Sequence, residues 1–201
     1  FKLKFLSNRL SNLKKINSIK IELETFLDQK FYGKIINVDH HISHVASSVY
    51  FSNYKNSNFL SIDGFGDFTS TITGFYDGVN INKFDEVLFP HSLGLFYTAI
   101  TQFLGFNNYG DEYKVMGLSS YGSPIYTDLI EKNIFKDTNN FKLNLDFFNH
   151  TGKDFSYKFS GAPKQNRILN NDIETLLKLN NPSNKNFFKM QTDIASSIQN
   201  I

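Results

Sequence analysis

The stretch DHHISHVASS, residues 39–48, holds three of the chain's five histidines. His40 and His44 are four positions apart. On an α-helix that spacing is about 40° of rotation and roughly 6 Å of rise, so both imidazoles share one face and can bind one divalent ion. Zinc proteases use the same spacing with a Glu between the histidines, and no Glu stands there in this chain. His41 points elsewhere on a helix. On spacing alone, a polar helix start whose histidines hydrogen-bond locally explains the pair as well. A catalytic metal needs about three protein ligands and an open position. Asp63, at the end of FLSID, is the candidate third ligand, although an Asp-Gly pair also simply starts turns.

Two further stretches could handle an anion. DGFGD (63–67) has glycine at its second and fourth places, Gly64 and Gly66. Glycine lets backbone N–H groups approach a phosphate or carboxylate closely. The plain alternative is a tight hairpin. DEYKVMG (111–117) gathers Asp111, Glu112 and Lys114, and can offer Lys114 to a phosphate, although a solvated charged loop is the commoner meaning of such a cluster. His91 and Ser92 open a helical stretch. Ser92 can cap it, and His91 can donate to an anion at its N-terminus.

The elements around these residues follow from periodicity. Residues 9–30 read as a helix with an irregular apolar face. KIINVD (34–39) is a short β-branched run and reads as a buried strand. HHISHVASSVYFS reads as a helix starting near His40 or His41. FLSID, FTSTITGFY and VNINKFDEVLF read as a three-stranded antiparallel meander, with Asp77 and Gly78 as a turn. Residues 91–105 read as a helix, and 107–122 as an ordered loop with a short helix. Residues 139–171 read as irregular strand and loop, and 172–179 and 186–200 as helices around a Pro182 loop. This order is that of an α/β protein.

Composition narrows the function. The chain has 201 residues, 40% hydrophobic and 20% charged, which is globular and enough for one domain or two small lobes. Net charge is +2 with no basic block, so nothing forces nucleic acid or an anionic membrane as a partner. No apolar run approaches the roughly 20 residues of a membrane helix. There is no cysteine, so any metal must be held by His, Asp, Glu or backbone oxygen; this also fits a cytoplasmic protein. The chain starts without Met and stops inside a helical pattern, and is expected to be an internal fragment.

Taken in order, DHHISHVASS, SIDGFGDFTSTITGF, FPHSLGLFYTAITQFLGF and GDEYKVMGLSSYG resemble the O-carbamoyltransferase family of nodulation-factor and antibiotic biosynthesis. MQTDIASSIQ resembles that family's next helix. The resemblance spans about residues 34–122 and 187–200. It implies an actin-like (RNase H-like) ATPase fold, here incomplete, with a mixed sheet and flanking helices. Residues 1–55 would end a first lobe that includes the HxxxH helix, and 56–201 would start a second. The family's C-terminal carbamoyl-adenylate synthase-like domain, its N-terminal His-Asp-Ala-Ser segment and a further downstream Asp ligand are absent from this chain.

By the same resemblance, carbamoyl phosphate and ATP give carbamoyl adenylate, and the carbamoyl group passes to a hydroxyl of a sugar or natural-product acceptor beside a metal, with Fe(II) favoured. His40, His44 and Asp63 match the metal and catalytic positions, and His41 would be structural. Gly64, Gly66 and Lys114 would meet the adenylate. The expected partners are small molecules, not nucleic acid or membrane, and a homo-oligomer is compatible with the reading. The fragment is not expected to act alone. The alternatives are an actin-fold small-molecule kinase, a non-catalytic nucleotide-binding module, and tRNA threonylcarbamoyl transfer, against which the lack of a basic bias and the DEYKVMGLSSYG segment argue.

Overall fold

The structure, a computed structural model, describes residues 19–137, 141–152, 155, 157–160, 162–179 and 187–201. The chain divides into two compact units, Phe1–Asp39 and His40–Ile201. In the first, α1 (Ile19–Leu27) is a short helix. The part of the expected helix at 9–18 lies outside the described residues.

Residues 34–39 form no strand, and Ile36 and Val38 are 70% and 61% exposed. This corrects the buried strand read there. A β-branched run becomes a strand only when a neighbour completes its hydrogen-bond ladder, and among the described residues none does.

The second unit opens with α2 (His40–Val49), starting where the histidine pattern places it. Its buried positions His41, Val45 and Val49 recur every four residues and face inward. The meander follows: β1 (Ser57–Gly66), β2 (Thr69–Tyr76) and β3 (Ile81–Leu88), in the order β1-β2-β3 and antiparallel throughout. Every ladder between named strands among the described residues is antiparallel, so the sheet is not the mixed one expected. The α/β mixture itself holds.

The β2–β3 turn has the predicted chemistry. Gly78 takes φ +93°, and Asp77 accepts from the amides of Val79 and Asn80 at 2.9 and 2.7 Å. Those bonds bring the Asp77 carboxyl down to about 2.

Next come α3 (Leu93–Phe103), stopped at Gly105 with φ +95°, and α4 (Glu112–Ser119). Then follow α5 (Thr127–Ile134), the small hairpin β4 (Phe135–Asp137) and β5 (Lys142–Leu143), and a second hairpin, β6 (Tyr157–Ser160) and β7 (Ala162–Gln165). The helices α6 (Asp172–Leu179) and α7 (Phe187–Ile198) match the expected pair, and the Pro182 loop lies outside the described residues.

The main core joins Leu95, Phe96 and Ile100 of α3 to Val115, Ile130, Ile173 and Ile194. A second, smaller core binds α2 to the meander through Val45, Val49, Ile72 and Tyr76. No helix among the described residues is long and apolar enough to cross a membrane.

Candidate metal centre

Asp63 owes its position to an irregularity in the first hairpin. Ile62 pairs with Thr71 and Gly66 with Thr69, so three residues of β1 oppose one of β2. The excess lifts the segment out of the ladder, as a bulge does. Strand β1 thus runs past Asp63, and the tight turn falls at Asp67, which takes φ +57°. The sequence placed the strand end and the glycine-dependent turn too early.

Two serine contacts and one helix hold the bulge. Ser92 caps α3 by accepting from the Leu95 amide at 3.0 Å. Its hydroxyl hydrogen faces the carbonyls of Gly64 at 2.6 Å and Asp63 at 3.1 Å. Helix α3 then approaches so closely that a Cβ on Gly94 would stand 2.8 Å from the Asp63 carbonyl. Ser70, opposite the bulge, donates to the His91 carbonyl at 2.7 Å.

The three predicted ligands converge. His40 Nε2 lies 2.7 Å from Asp63 Oδ2, His44 Nε2 lies 3.0 Å from His40 Nε2, and His44 Nε2 lies 3.4 Å from Asp63 Oδ2. Ligands about 2.1 Å from one ion stand about 3.0 Å apart at right angles and about 3.4 Å apart in a tetrahedron. Two edges of the observed triangle, 3.0 and 3.4 Å, fall in that range, and the 2.7 Å edge between His40 and Asp63 is shorter, at hydrogen-bond distance. Hydrogen bonding accounts for the two contacts to Asp63, since each Nε2–H can donate to Oδ2; with both hydrogens so used, the 3.0 Å approach of the two ring nitrogens has no hydrogen between them. Two imidazoles and a carboxylate suit Fe(II), Zn(II) or Mn(II).

Asp63 keeps one oxygen toward the histidines. Its Oδ1 accepts from the Gly64 amide at 2.6 Å, which leaves Oδ2 for the histidines. Partial burial raises its carboxyl, but the bonds from His40, Gly64 and His44 and the charge of His40 outweigh this and hold it below the usual carboxylate value. The side chains of His40, His44 and Asp63 remain 41%, 54% and 39% exposed, so a small molecule can reach them. A cleft of about 380 Å³ opens beside the triad, between His44, Val45, Ser48 and Val49 of α2 and residues 59–63 of β1.

The other candidates fare differently. Gly66 serves the triad by making room: a Cβ there would sit 2.0 Å from His40 Cδ2. The Gly64 amide is turned toward Asp63. Lys114 lies on α4 and pairs with Asp111 at 2.6 Å, a bond that holds the Asp111 carboxyl low and the Lys114 ammonium high. His91 Nδ1 accepts from the Leu143 amide at 3.2 Å, so that nitrogen is engaged as an acceptor and is not the anion donor considered for this ring. The sequence reading missed the packing role of Gly66 and the cap that Ser92 extends to the bulge; only Ser92 carried a signal, as a capping residue.

Comparison with known proteins gives the context. A profile of the family described as "Carbamoyltransferase N-terminus" matches residues 2–201. The chain is 39% identical over 135 residues to an uncharacterised protein of Synechocystis sp., covering 63% of this chain and 22% of that protein. It is 37% identical over 119 residues to nodulation protein NolNO of Sinorhizobium fredii, covering 56% and 17%. It is 42% identical over 89 residues to nodulation protein NolO of Bradyrhizobium diazoefficiens, covering 43% and 16%. The chain therefore matches about a fifth of the length of these relatives.

Proposed function

The chain belongs to the carbamoyltransferase family, and from that premise we propose that it forms part of an enzyme transferring a carbamoyl group to a hydroxyl of a sugar or natural-product acceptor. The observation that carries the reading is the convergence of His40 Nε2, His44 Nε2 and Asp63 Oδ2 on one point beside an open cleft. The donor would be carbamoyl adenylate, made from carbamoyl phosphate and ATP, in an actin-like scaffold completed by parts of the longer protein. The proposed setting is cytoplasmic.

Within this reading, His40, His44 and Asp63 would hold a divalent ion, Fe(II) first. Such an ion supplies Lewis acidity to an oxygen where negative charge develops. The residues around it supply order. The Gly64 amide fixes one carboxylate oxygen so that the other stays aimed. Ser92 fixes the carbonyls of the bulge. Helix α2 and β1 form the walls of the cleft, whose apolar Val45, Val49 and Phe59 exclude water from one side of the acceptor. The adenylate phosphate would be met by the Gly66 amide and by Lys114, which would exchange Asp111 for it, while the Gly64 amide stays on Asp63. Attack of the acceptor oxygen on the carbamoyl carbon would form a carbamate ester, break the bond from that carbon to the phosphate oxygen, release AMP and give up the hydroxyl proton to solvent.

The test is product analysis on the full-length protein that carries this chain, given ATP, carbamoyl phosphate and a panel of hydroxyl acceptors. AMP with a carbamate ester is expected, and both should vanish in His40→Ala. ADP with a phosphorylated acceptor would turn the assignment to a kinase. Full transfer by His40→Ala would refute the role given to the triad.

A further inference from the structure

We propose that His41 is a positioning residue for the triad: held by Ser61 and Thr69, its ring sets the rotation of α2 that brings His40 and His44 to Asp63. The inference rests on the reading of the triad as a metal site and deepens it.

His41 is only 1% exposed, between two half-exposed histidines. Its Nδ1 lies 2.8 Å from Ser61 Oγ and its Nε2 lies 3.1 Å from the Thr69 carbonyl. A carbonyl only accepts, so Nε2 carries the hydrogen, and Nδ1 of the neutral ring accepts from the Ser61 hydroxyl. One tautomer thus satisfies both nitrogens.

The two partners stand on the two legs of the hairpin that carries Asp63. Ser61 precedes Asp63 by two residues on β1. Thr69 pairs with Gly66, the residue that His40's ring rests upon. His41 therefore ties α2 to both strands, next to the third ligand.

The required precision argues that this tie matters. Side-chain tips stand about 5–6 Å from a helix axis, so a 10° turn of α2 would carry them about 1 Å. Metal–ligand distances are held to about 0.2 Å. The contacts of Val45 and Val49 with Ile72 and Tyr76 bury area but have no direction, so they tolerate such a turn. Two hydrogen bonds from one planar ring do not. Burial alone would be served at lower cost by an apolar residue at position 41, which sits on the same helical face as Val45 and Val49.

The test titrates Co(II) into the full 201-residue chain, read by visible absorption, for wild type, His41→Leu, His41→Gln and Ser61→Ala, each also melted by circular dichroism. His41→Leu should melt cooperatively, bind Co(II) about 10-fold or more weakly, and show an altered absorption band, the scale of loss seen when groups that orient ligands are removed. His41→Gln, whose amide can donate to Thr69 and accept from Ser61, should recover most of the affinity and the band. Where His41→Leu does not melt cooperatively, Ser61→Ala decides alone: a weakened affinity and altered band support the role, and a wild-type affinity and band overturn it. Wild-type affinity and spectrum in His41→Leu overturn it directly, as does a His41→Gln variant no better than His41→Leu. Absence of Co(II) binding by the wild type refutes the metal site itself, and this inference with it.

Discussion

Replacing Gly66 with alanine should weaken metal binding about 100-fold or more while leaving the fold standing. The added Cβ would lie 2.0 Å from His40 Cδ2, 2.3 Å from Cγ and 2.8 Å from Cβ. Carbon atoms settle at about 3.5–4.0 Å, so the ring edge must retreat by about 1.5 Å. Rotation of the imidazole cannot do this alone, because the His40 Cβ is itself too close and belongs to the first residue of α2. The ring therefore leaves, or the helix start backs away. Either motion opens the 2.7 Å contact between His40 Nε2 and Asp63 Oδ2 far beyond the tolerance of a metal site. Losing one of three ligands should weaken binding about 100-fold or more. Gly66 does not use a positive φ, so alanine brings no backbone strain of its own, and the cost to stability is that of local overpacking, about 1–3 kcal/mol. The assay is anaerobic Fe(II) or Co(II) titration beside a urea melt. A folded Gly66→Ala protein with wild-type metal affinity would show that His40 is not a ligand.

Further expectations concern the surroundings of the triad. Ser92→Ala should cost about 1 kcal/mol in a urea melt for the lost helix cap, and should also weaken metal binding, since the carbonyls of Asp63 and Gly64 lose their donor; unchanged binding would separate the cap from the site. Val45→Ala should destabilise by about 2 kcal/mol, and a negligible loss would mean that the small core does not anchor α2. Lys114→Ala should leave metal affinity unchanged, because the contacts of Lys114 are with Asp111 and the Phe106 and Tyr113 rings. Stability should also depend on pH. Burial chiefly holds His91 and His150 below the usual imidazole value, with nearby Lys142 and Lys136 adding to this at His91, while at His150 the bond to the Pro90 carbonyl works against it. The unfolded chain then binds protons that the folded chain refuses, so stability is full above about pH 6.5 and falls as the pH drops below it. Urea midpoints measured with a chelator at pH 5 and pH 7.5 should differ in that direction, and equal midpoints would contradict the assignment.

The parts of the site that follow from fixed geometry were legible in the sequence. The four-residue spacing of His40 and His44 needs only helix geometry to put both on one face, and the Asp77-Gly78 turn needs only local turn chemistry to order β2 and β3. What was not legible depends on contacts distant in sequence. The bulge that presents Asp63 is a mismatch between two strands and leaves no local pattern. The room that Gly66 makes for His40 arises 26 positions away. The β-branched run at 34–39 looked like a strand because periodicity cannot tell whether a partner strand exists. His41 lay in between: it completes the stripe of Val45 and Val49, so its burial could have been read, but its partners could not.

The most direct test of the central claim is anaerobic calorimetric titration of Fe(II) into this chain beside His40→Ala/His44→Ala. One ion per chain, bound by the wild type and lost in the double variant, is the predicted result. Equal binding by both proteins would contradict the claim that these side chains form a metal site.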